Sequence, residues 1–419
     1  MTGTPTRDPL ERTSRQTLAR IRFDLHWRSD DAIHTDTRVA SRLDLWRDLL
    51  PSELEAEIMD RPVGHRAVHR FEPGTLVPSA REDLLRTLRP EQFQRRLASG
   101  GSVEPRAGRF YPRGILKGVE DTAGSHRGPV RVVDVHADRL AVDLNHPLAG
   151  RRLDVEVRIE AIRARGDQRG GRCTEVAELI TADGPGMQAR RKDQPTDFWS
   201  DDPFARLDLR PDGEFYATPR LVDHLDRTAI AEIGALYGRL IRPGARILDL
   251  MSSWHSHLPS ALAPAAVIGL GMNPAELEAN PILTERLVHD LNQDPRLPFA
   301  DASLSAILCT VSVEYLVRPF EVFREIARVL EPGGRVVLTF SNRWFPPKVI
   351  RIWQDLHEFE RPALVLDYLR ESGCFGGLET WSLRGLPRPQ DDKYADRLAE
   401  SDPVYAVWGT RLGRSTAGL

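Results

Sequence analysis

Apolar and polar positions alternate with two different periods along this chain. Between residues 21 and 164 the runs are short and strand-like. Leu153-Asp-Val-Glu-Val-Arg-Ile159 alternates apolar and charged side chains, which predicts a strand with one buried face. Val130 to Val135 and Leu140 to Leu144 predict two more strands around a turn at His136-Ala-Asp138. From about Thr196 to Leu240 the pattern turns helical. Residues 241–340 then alternate strand and helix. Arg246 to Leu250, Val267 to Leu270, Leu304 to Thr310 and Arg335 to Phe340 read as strands. Pro319 to Leu330 reads as an amphipathic helix with Val322, Ile326 and Leu330 on one face, ended by Pro332-Gly333-Gly334. That alternation predicts a parallel sheet covered on both sides. Residues 341–419 hold helical stretches, a Pro/Asp-rich loop from Gly385 to Asp392, and a last strand at Val404 to Trp408.

Breakers divide the pattern. Gly166, Gly170, Gly171, Gly184, Pro185 and Gly186 interrupt residues 165–195, which predicts an interdomain linker around a short apolar piece, Val176 to Ile180. The expected organisation is a disordered polar lead over 1–20, a β-rich domain over 21–164, the linker, and an α/β domain over 196–419. A chain of 419 residues is long enough for this. A formal charge of −3 gives no general attraction to nucleic acid or acidic membranes. No apolar run reaches the roughly 18 residues of a membrane span, and the first 20 residues lack the apolar core of a signal peptide. Cys173, Cys309 and Cys374 are far apart and form no CxxC pair, so neither a disulfide framework nor a cysteine-rich zinc site is expected. Together these features point to the cytoplasm.

The candidate chemistry gathers after Leu250. In a doubly wound sheet, ligands bind outside the carboxyl ends of the strands, beside a helix N-terminus. Asp249-Leu-Met-Ser-Ser-Trp-His255 occupies that place. Ser252 and Ser253 are small and can donate hydroxyl hydrogen bonds to a carboxylate. Trp254 can stack on an adenine or attract a cation to its face, a contact worth about 0.5–2 kcal/mol, or it can be plain core packing. His255 and His257 are candidate general bases, since imidazole titrates near neutral pH. Two histidines without a spaced third ligand do not make a metal site, and none is predicted. Upstream, Phe215, Tyr216, Arg220 and His224 cluster, with Arg220 and His224 four residues apart as on one helix face. Arg220 is a candidate carboxylate clamp through its planar fork, or else a solvated surface charge.

Leu297-Pro-Phe-Ala-Asp301, Ser312-Val-Glu-Tyr-Leu316 and Glu325-Ile-Ala-Arg-Val-Leu-Glu-Pro-Gly-Gly334 resemble class I S-adenosylmethionine-dependent methyltransferases of type 11, over roughly residues 196–410. The resemblance implies a Rossmann-like α/β fold and S-adenosylmethionine as cofactor. It implies cofactor binding by Asp249, Ser252, Ser253 and Trp254, and by Asp290 and the Leu291 backbone beside the adenine. It places His255, His257, Tyr216 and Arg220 toward the methyl acceptor. The family's three loop glycines fall on Met251, Ser253 and His255, and its ribose-gripping acid falls on Gly271. The Asp-Leu-Met-Ser-Ser-Trp loop is therefore degenerate, and either a retained cofactor site or a vestigial scaffold follows. A segment Ser341-Asn342-Arg343 accompanies the same loop in a subgroup of this family.

Asp143-Leu-Asn-His-Pro-Leu-Ala-Gly150, followed by Leu153 to Ile159, resembles the FKBP-type prolyl isomerases of the SlyD group over about residues 21–164. Gly128-Pro-Val-Arg-Val-Val-Asp134 is similar to the strand closing their inserted flap domain, and Leu50-Pro-Ser-Glu-Leu-Glu55 stands where they place a helix. This resemblance implies an α+β, β-rich FKBP-like domain with a pocket around Asp36, Trp46 and Val155, and a proline-containing peptide as partner. The family's pocket aromatic falls on Val155, and its Ala-Tyr-Gly bulge is replaced by Pro73-Gly-Thr-Leu-Val-Pro78. Lowering an isomerisation barrier of about 18–20 kcal/mol needs a gripping, dry cup, so weak or absent isomerase activity and a peptide-binding role are expected.

The expected protein is a fusion of these modules, acting as a methyltransferase on an unidentified small molecule or protein. The alternative is a prolyl isomerase or folding helper with a non-catalytic methyltransferase-like domain. A third reading is an adaptor with both sites degenerate.

Overall fold

The structure is a computed structural model that describes residues 11–96, 102–119, 128–166, 170–192 and 194–413. The chain divides into two compact units. One comprises Met1–Ser29, His34–Met187 and Ser382–Pro387; the other comprises Asp30–Ile33, Gln188–Trp381 and Arg388–Leu419.

In the first unit, β1 (Thr17–Arg28), β2 (Ala32–Asp44), β3 (Arg66–Phe71) and β8 (Leu153–Ala164) lie in the order β2-β1-β8-β3. β8 runs antiparallel to both neighbours, with Val155 opposite Leu25 on β1 and His69 on β3. The period-2 pattern sets the buried face: Ile21, Phe23, Leu25 and Trp27 on β1, and Leu153, Val155, Val157 and Ile159 on β8. Helix α1 (Ser52–Ile58) buries Leu54 and Ile58. Between β3 and β8 the chain forms a second antiparallel sheet of β4 (Leu85–Leu88), β5 (Phe110–Pro112), β6 (Pro129–Val135) and β7 (Leu140–Asp143), ordered β4-β7-β6-β5. It has its own core around Phe93, Tyr111, Val130, Val132, Leu140 and Val142. Helix α2 (Val176–Thr181) buries Val176 and Ile180 within the stretch expected as linker.

Two expectations change here. Residues 1–10 of the expected lead lie outside the described residues, but Thr17 to Arg20 open β1, paired through Thr17↔Ala164, and Thr13 is buried with its hydroxyl on the Ile58 carbonyl at 2.5 Å. The expected isomerase pocket does not assemble. Val155 is fully buried in the sheet core, whereas Trp46 is 48% exposed under the Arg165 guanidinium. Asp36 is buried and accepts the indole N–H of Trp27 at 2.8 Å. Two cavities of this unit, one around Phe93 and Lys117 and one around His146 and Glu178, are lined by none of the three. A tryptophan in solvent and a valine sealed in the core cannot grip one proline ring.

The second unit contains α3 (Asp212–Phe215), α4 (Arg227–Leu240), β9 (Arg246–Leu250), β10 (Ala266–Gly271), α5 (Pro274–Ala279), β11 (Glu285–Val288), β12 (Leu304–Thr310), α6 (Pro319–Val329), β13 (Leu330–Phe340), α7 (Arg351–Asp355), α8 (Glu360–Ser372), β14 (Phe375–Arg384) and β15 (Val404–Arg411). Strand order is β11-β10-β9-β12-β13-β15-β14. Neighbours from β11 to β13 are parallel, and β13 pairs antiparallel with β15. Ile247, Leu248, Ile307, Leu308, Val336 and Val337 are all buried, which is why these strands read as unbroken apolar runs. From β9 the chain steps to β10 on one side and later returns to β12 on the other. The carboxyl ends of β9 and β12 therefore flank a topological switch point, where such sheets bind ligands.

Residues 196–226 do not form the expected helix. Only α3 is helical there, and α4 starts at Arg227, where the Asp226 carboxylate accepts the Thr228 and Ala229 N–H groups. Pro203, Pro211 and Pro219 interrupt the segment; each lacks an amide donor and disfavours a helical residue before it. Arg220 and His224 thus share no helix face. No helix among the described residues is long and apolar enough to cross a membrane.

Candidate functional site

Asp249, the last residue but one of β9, is buried. Burial pushes its carboxyl up to about 6 despite hydroxyl hydrogen bonds from Ser252 at 2.5 Å and Ser256 at 2.6 Å, both to the same oxygen. Those bonds fold residues 250–256 back over the strand end. Met251 turns the chain with φ 57°, a left-handed conformation taken here by a residue with a side chain. The Ser252 N–H then bonds the Leu270 carbonyl at the end of β10.

α5 supplies the next wall. Asn273 caps it through Ala275 and Glu276 N–H, with Pro274 at the first helical position. Glu276 is thereby aimed at the loop: one oxygen accepts the Ser253 hydroxyl at 2.6 Å and the other the Arg220 backbone N–H at 2.7 Å. Asn280 steadies the same loop, donating to the Ser253 carbonyl and the Ser256 hydroxyl, both at 2.9 Å.

Residues 216–224 cover the opening as an irregular segment of turns and bends. Asn273 donates to the Tyr216 and Ala217 carbonyls at 2.9 and 3.1 Å, and the Trp254 indole donates to the Val222 carbonyl at 3.2 Å. Asp223 meets His255 at 3.3 Å. The Arg220 guanidinium lies over Phe215, Tyr216 and Phe345, 4.7, 5.7 and 5.2 Å from the ring centroids. Phe345 is itself held by its N–H on the Tyr315 hydroxyl at 2.8 Å and meets His224 edge to face.

These elements enclose a cavity of about 130 Å³. It is lined by Tyr216, Arg220, His224, Asp249, Ser252, Ser253, Trp254, His255, His257, Glu276, Ser312, Tyr315 and Phe345, among others. His257 stands 4.4 Å from His255 between ring centroids, and burial pulls it down to about 4, so its imidazole is neutral at physiological pH. His224 is lowered by the same cause. Burial raises the Tyr216 hydroxyl, which keeps its proton.

Eight sequence-derived candidates therefore converge: Tyr216, Arg220, Asp249, Ser252, Ser253, Trp254, His255 and His257. Asp290 and Leu291 do not line the cavity. The Asp290 carboxylate turns back to accept the Asn292 N–H at 2.9 Å, capping its own turn, and the Leu291 side chain is buried. Glu276 was not anticipated, because the acid of the family pattern falls on Gly271, before α5 begins. Its signal was present as Asn273-Pro-Ala-Glu276, a cap residue followed three positions later by glutamate. Among the described residues no group of three or more His, Cys, Asp or Glu is placed to hold a metal.

Residues 253–338 match a family model described as a methyltransferase domain. The matched stretch begins in the loop after β9 and ends within β13, and contains Ser253, Trp254, His255, His257, Glu276 and Tyr315 of the cavity lining. This methyltransferase-domain match supports S-adenosylmethionine as the cofactor. The chain is 30% identical over 152 residues to an uncharacterized methyltransferase of Mycobacterium tuberculosis, covering 34% of this chain and 59% of that one. It is 26% identical over 83 residues to the malonyl-[acyl-carrier protein] O-methyltransferase of a Marinomonas species, covering 18% and 31%. Both alignments span less than two thirds of the relative's length. A solved S-adenosylmethionine-dependent methyltransferase from Mesorhizobium loti is 17% identical, with TM-score 0.31, over 43% of this chain and 98% of its own. The family match contains no residue of the first unit, and the comparisons give the isomerase resemblance no support.

Proposed function

We propose that the second unit is an S-adenosylmethionine-dependent methyltransferase whose cofactor site is the cavity at the β9–β12 switch point. The observation that carries this reading is the paired use of Glu276 and the Asp249-braced loop. The missing ribose acid of the family pattern is replaced by Glu276, one turn into α5, whose two oxygens already hold a hydroxyl and an N–H. Two acceptor oxygens are what a vicinal diol requires. Ser252 and Ser253 line the amino-acid end, and Trp254 offers a ring face to the adenine or the sulfonium. Whole-ligand pockets usually measure about 300–1,000 Å³. A cavity of about 130 Å³ therefore takes only part of the cofactor as it stands.

S-adenosylmethionine supplies a methyl group already activated by its sulfonium. The chain's own residues align the acceptor and exclude water. Neutral His257, or His255 beside it, takes the acceptor's proton, and Tyr216 and Arg220 face the acceptor. The acceptor is a small molecule or a protein side chain.

Calorimetric titration of the full chain with S-adenosylhomocysteine tests the reading. Micromolar binding, weakened about tenfold or more in Glu276→Gln, is expected. Absence of binding up to millimolar concentrations overturns it.

A further inference from the structure

The Arg220 guanidinium is partly buried at the cavity wall, and its surroundings are made for holding an anion. Three aromatic rings, Phe215, Tyr216 and Phe345, pack around it at 4.7–5.7 Å. One terminal nitrogen donates to the Phe215 carbonyl at 3.1 Å, and the residue's own N–H is fixed on Glu276. These contacts set the plane of the fork and leave donors over. Elsewhere in the unit, Arg206, Arg328 and Arg388 each pair with a carboxylate within 3 Å. No carboxylate reaches ion-pair distance of the Arg220 guanidinium among the described residues, and the nearby acids are already engaged. Asp223 faces His255, Glu276 takes Ser253 and the Arg220 N–H, and Asp249 takes two serine hydroxyls. A partly buried guanidinium held by rings and lacking an anionic partner is placed to take a bidentate carboxylate.

We propose that Arg220 is a carboxylate-recognition residue of this cavity, clamping either the amino-acid carboxylate of the cofactor or a carboxylate on the methyl acceptor. The identity of those two sources rests on the methyltransferase reading above; the clamp itself rests on the geometry.

The test is calorimetric, on the full chain, with Arg220→Ala, Arg220→Lys and the parent protein. Three probes are used: S-adenosylhomocysteine, methylthioadenosine (which lacks the amino-acid carboxylate), and benzoate. Loss of about tenfold or more in S-adenosylhomocysteine affinity in Arg220→Ala, with methylthioadenosine unchanged, assigns the clamp to the cofactor. Unchanged S-adenosylhomocysteine affinity, with benzoate binding to the saturated protein abolished, assigns it to the acceptor. In both cases Arg220→Lys falls between, because it keeps the charge and loses the fork. Equal weakening of all probes, or no change in any, overturns the proposal and leaves Arg220 a structural brace. If the parent protein binds neither nucleoside, the methyltransferase reading fails. Benzoate binding to the free parent and its loss in Arg220→Ala would then still support the clamp, and its absence would overturn it.

Discussion

Gly271 lies so close beneath the carbonyl of Ser252 that a Cβ built on it would stand 2.2 Å from that oxygen. The close approach that glycine usually provides inside the loop after the first strand is provided here by its neighbours. Gly234 on α4 does the same beneath the His257 carbonyl, where a Cβ would sit at 3.0 Å. The loop can therefore carry Met251, Ser253 and His255 and still fold tightly onto β10. The same contact explains why no acid stands at position 271; Glu276 on α5 is the next carboxylate along the chain that lines the cavity.

Gly271→Ala is expected to push the loop off β10. The Ser252 N–H bond to Leu270 ties the two backbones together, so the overlap cannot be relieved by moving a flexible side chain. Overpacking of this kind costs about 1–3 kcal/mol. Chemical denaturation should show that loss, and S-adenosylhomocysteine binding should fall with it. A variant as stable as the parent would show that the loop does not rest on β10 as described.

Glu314 makes stability fall as pH rises. It is fully buried after β12, neither carboxylate oxygen has a hydrogen-bond partner, and burial raises it to about 8 from its ordinary 4.5. Below about pH 4.5 the folded and unfolded chains both hold the proton, and the group costs nothing. Between 4.5 and 8 the folded state binds more proton than the unfolded state, so stability declines with pH. Above 8 the full cost is present, on the order of a few kcal/mol. Glu314→Gln removes the titration. The melting temperatures of the parent and variant should coincide near pH 4 and separate up to pH 8, with the variant higher. Parallel curves across that range would mean that Glu314 finds an ionic partner.

Much of the second unit was legible because its central strands are buried on both faces. Ile247, Ile307 and Val336 sit in runs that only a parallel core strand explains. β11 and β14 were not. Glu285-Arg-Leu-Val288 is a short, largely exposed edge strand, and Phe375-Gly-Gly-Leu-Glu-Thr-Trp381 hides its alternation behind two glycines. At the site, residues 249–257 could be placed because they follow a strand end directly. Asp290 could not, since the carboxylate of a turn residue caps its own backbone as readily as it faces a ligand. The i,i+4 spacing of Arg220 and His224 suggested a helix, whereas residues 216–226 run through turns and bends. The two side chains still meet in one cavity because Asn273, Glu276 and Trp254 tether the irregular segment between them.

Lys348 should prove to be the residue on which the approach to the cavity depends. Its side chain is fully buried; its ammonium sits 3.1 Å from Asp212 and donates to the Arg210 carbonyl at 2.6 Å. Asp212 also takes Arg206 at 2.9 Å and the Asn292 amide at 2.8 Å. That amide in turn donates to the Tyr315 carbonyl at 3.0 Å. The network fixes α3, and α3 presents Phe215 to the Arg220 guanidinium. Lys348→Met deletes one charge and leaves Asp212 with Arg206 alone as its ionic partner. Because Asp212 keeps Arg206, the loss should fall below the about 3–5 kcal/mol of a buried charge left without any partner. Asp212→Asn alone should also destabilise, but the double variant should be closer to the parent than the two losses added together, because the Lys348–Asp212 pair is then removed from both sides. Urea denaturation of the four proteins gives the coupling. A sum that is simply additive would show that Lys348 and Asp212 act independently.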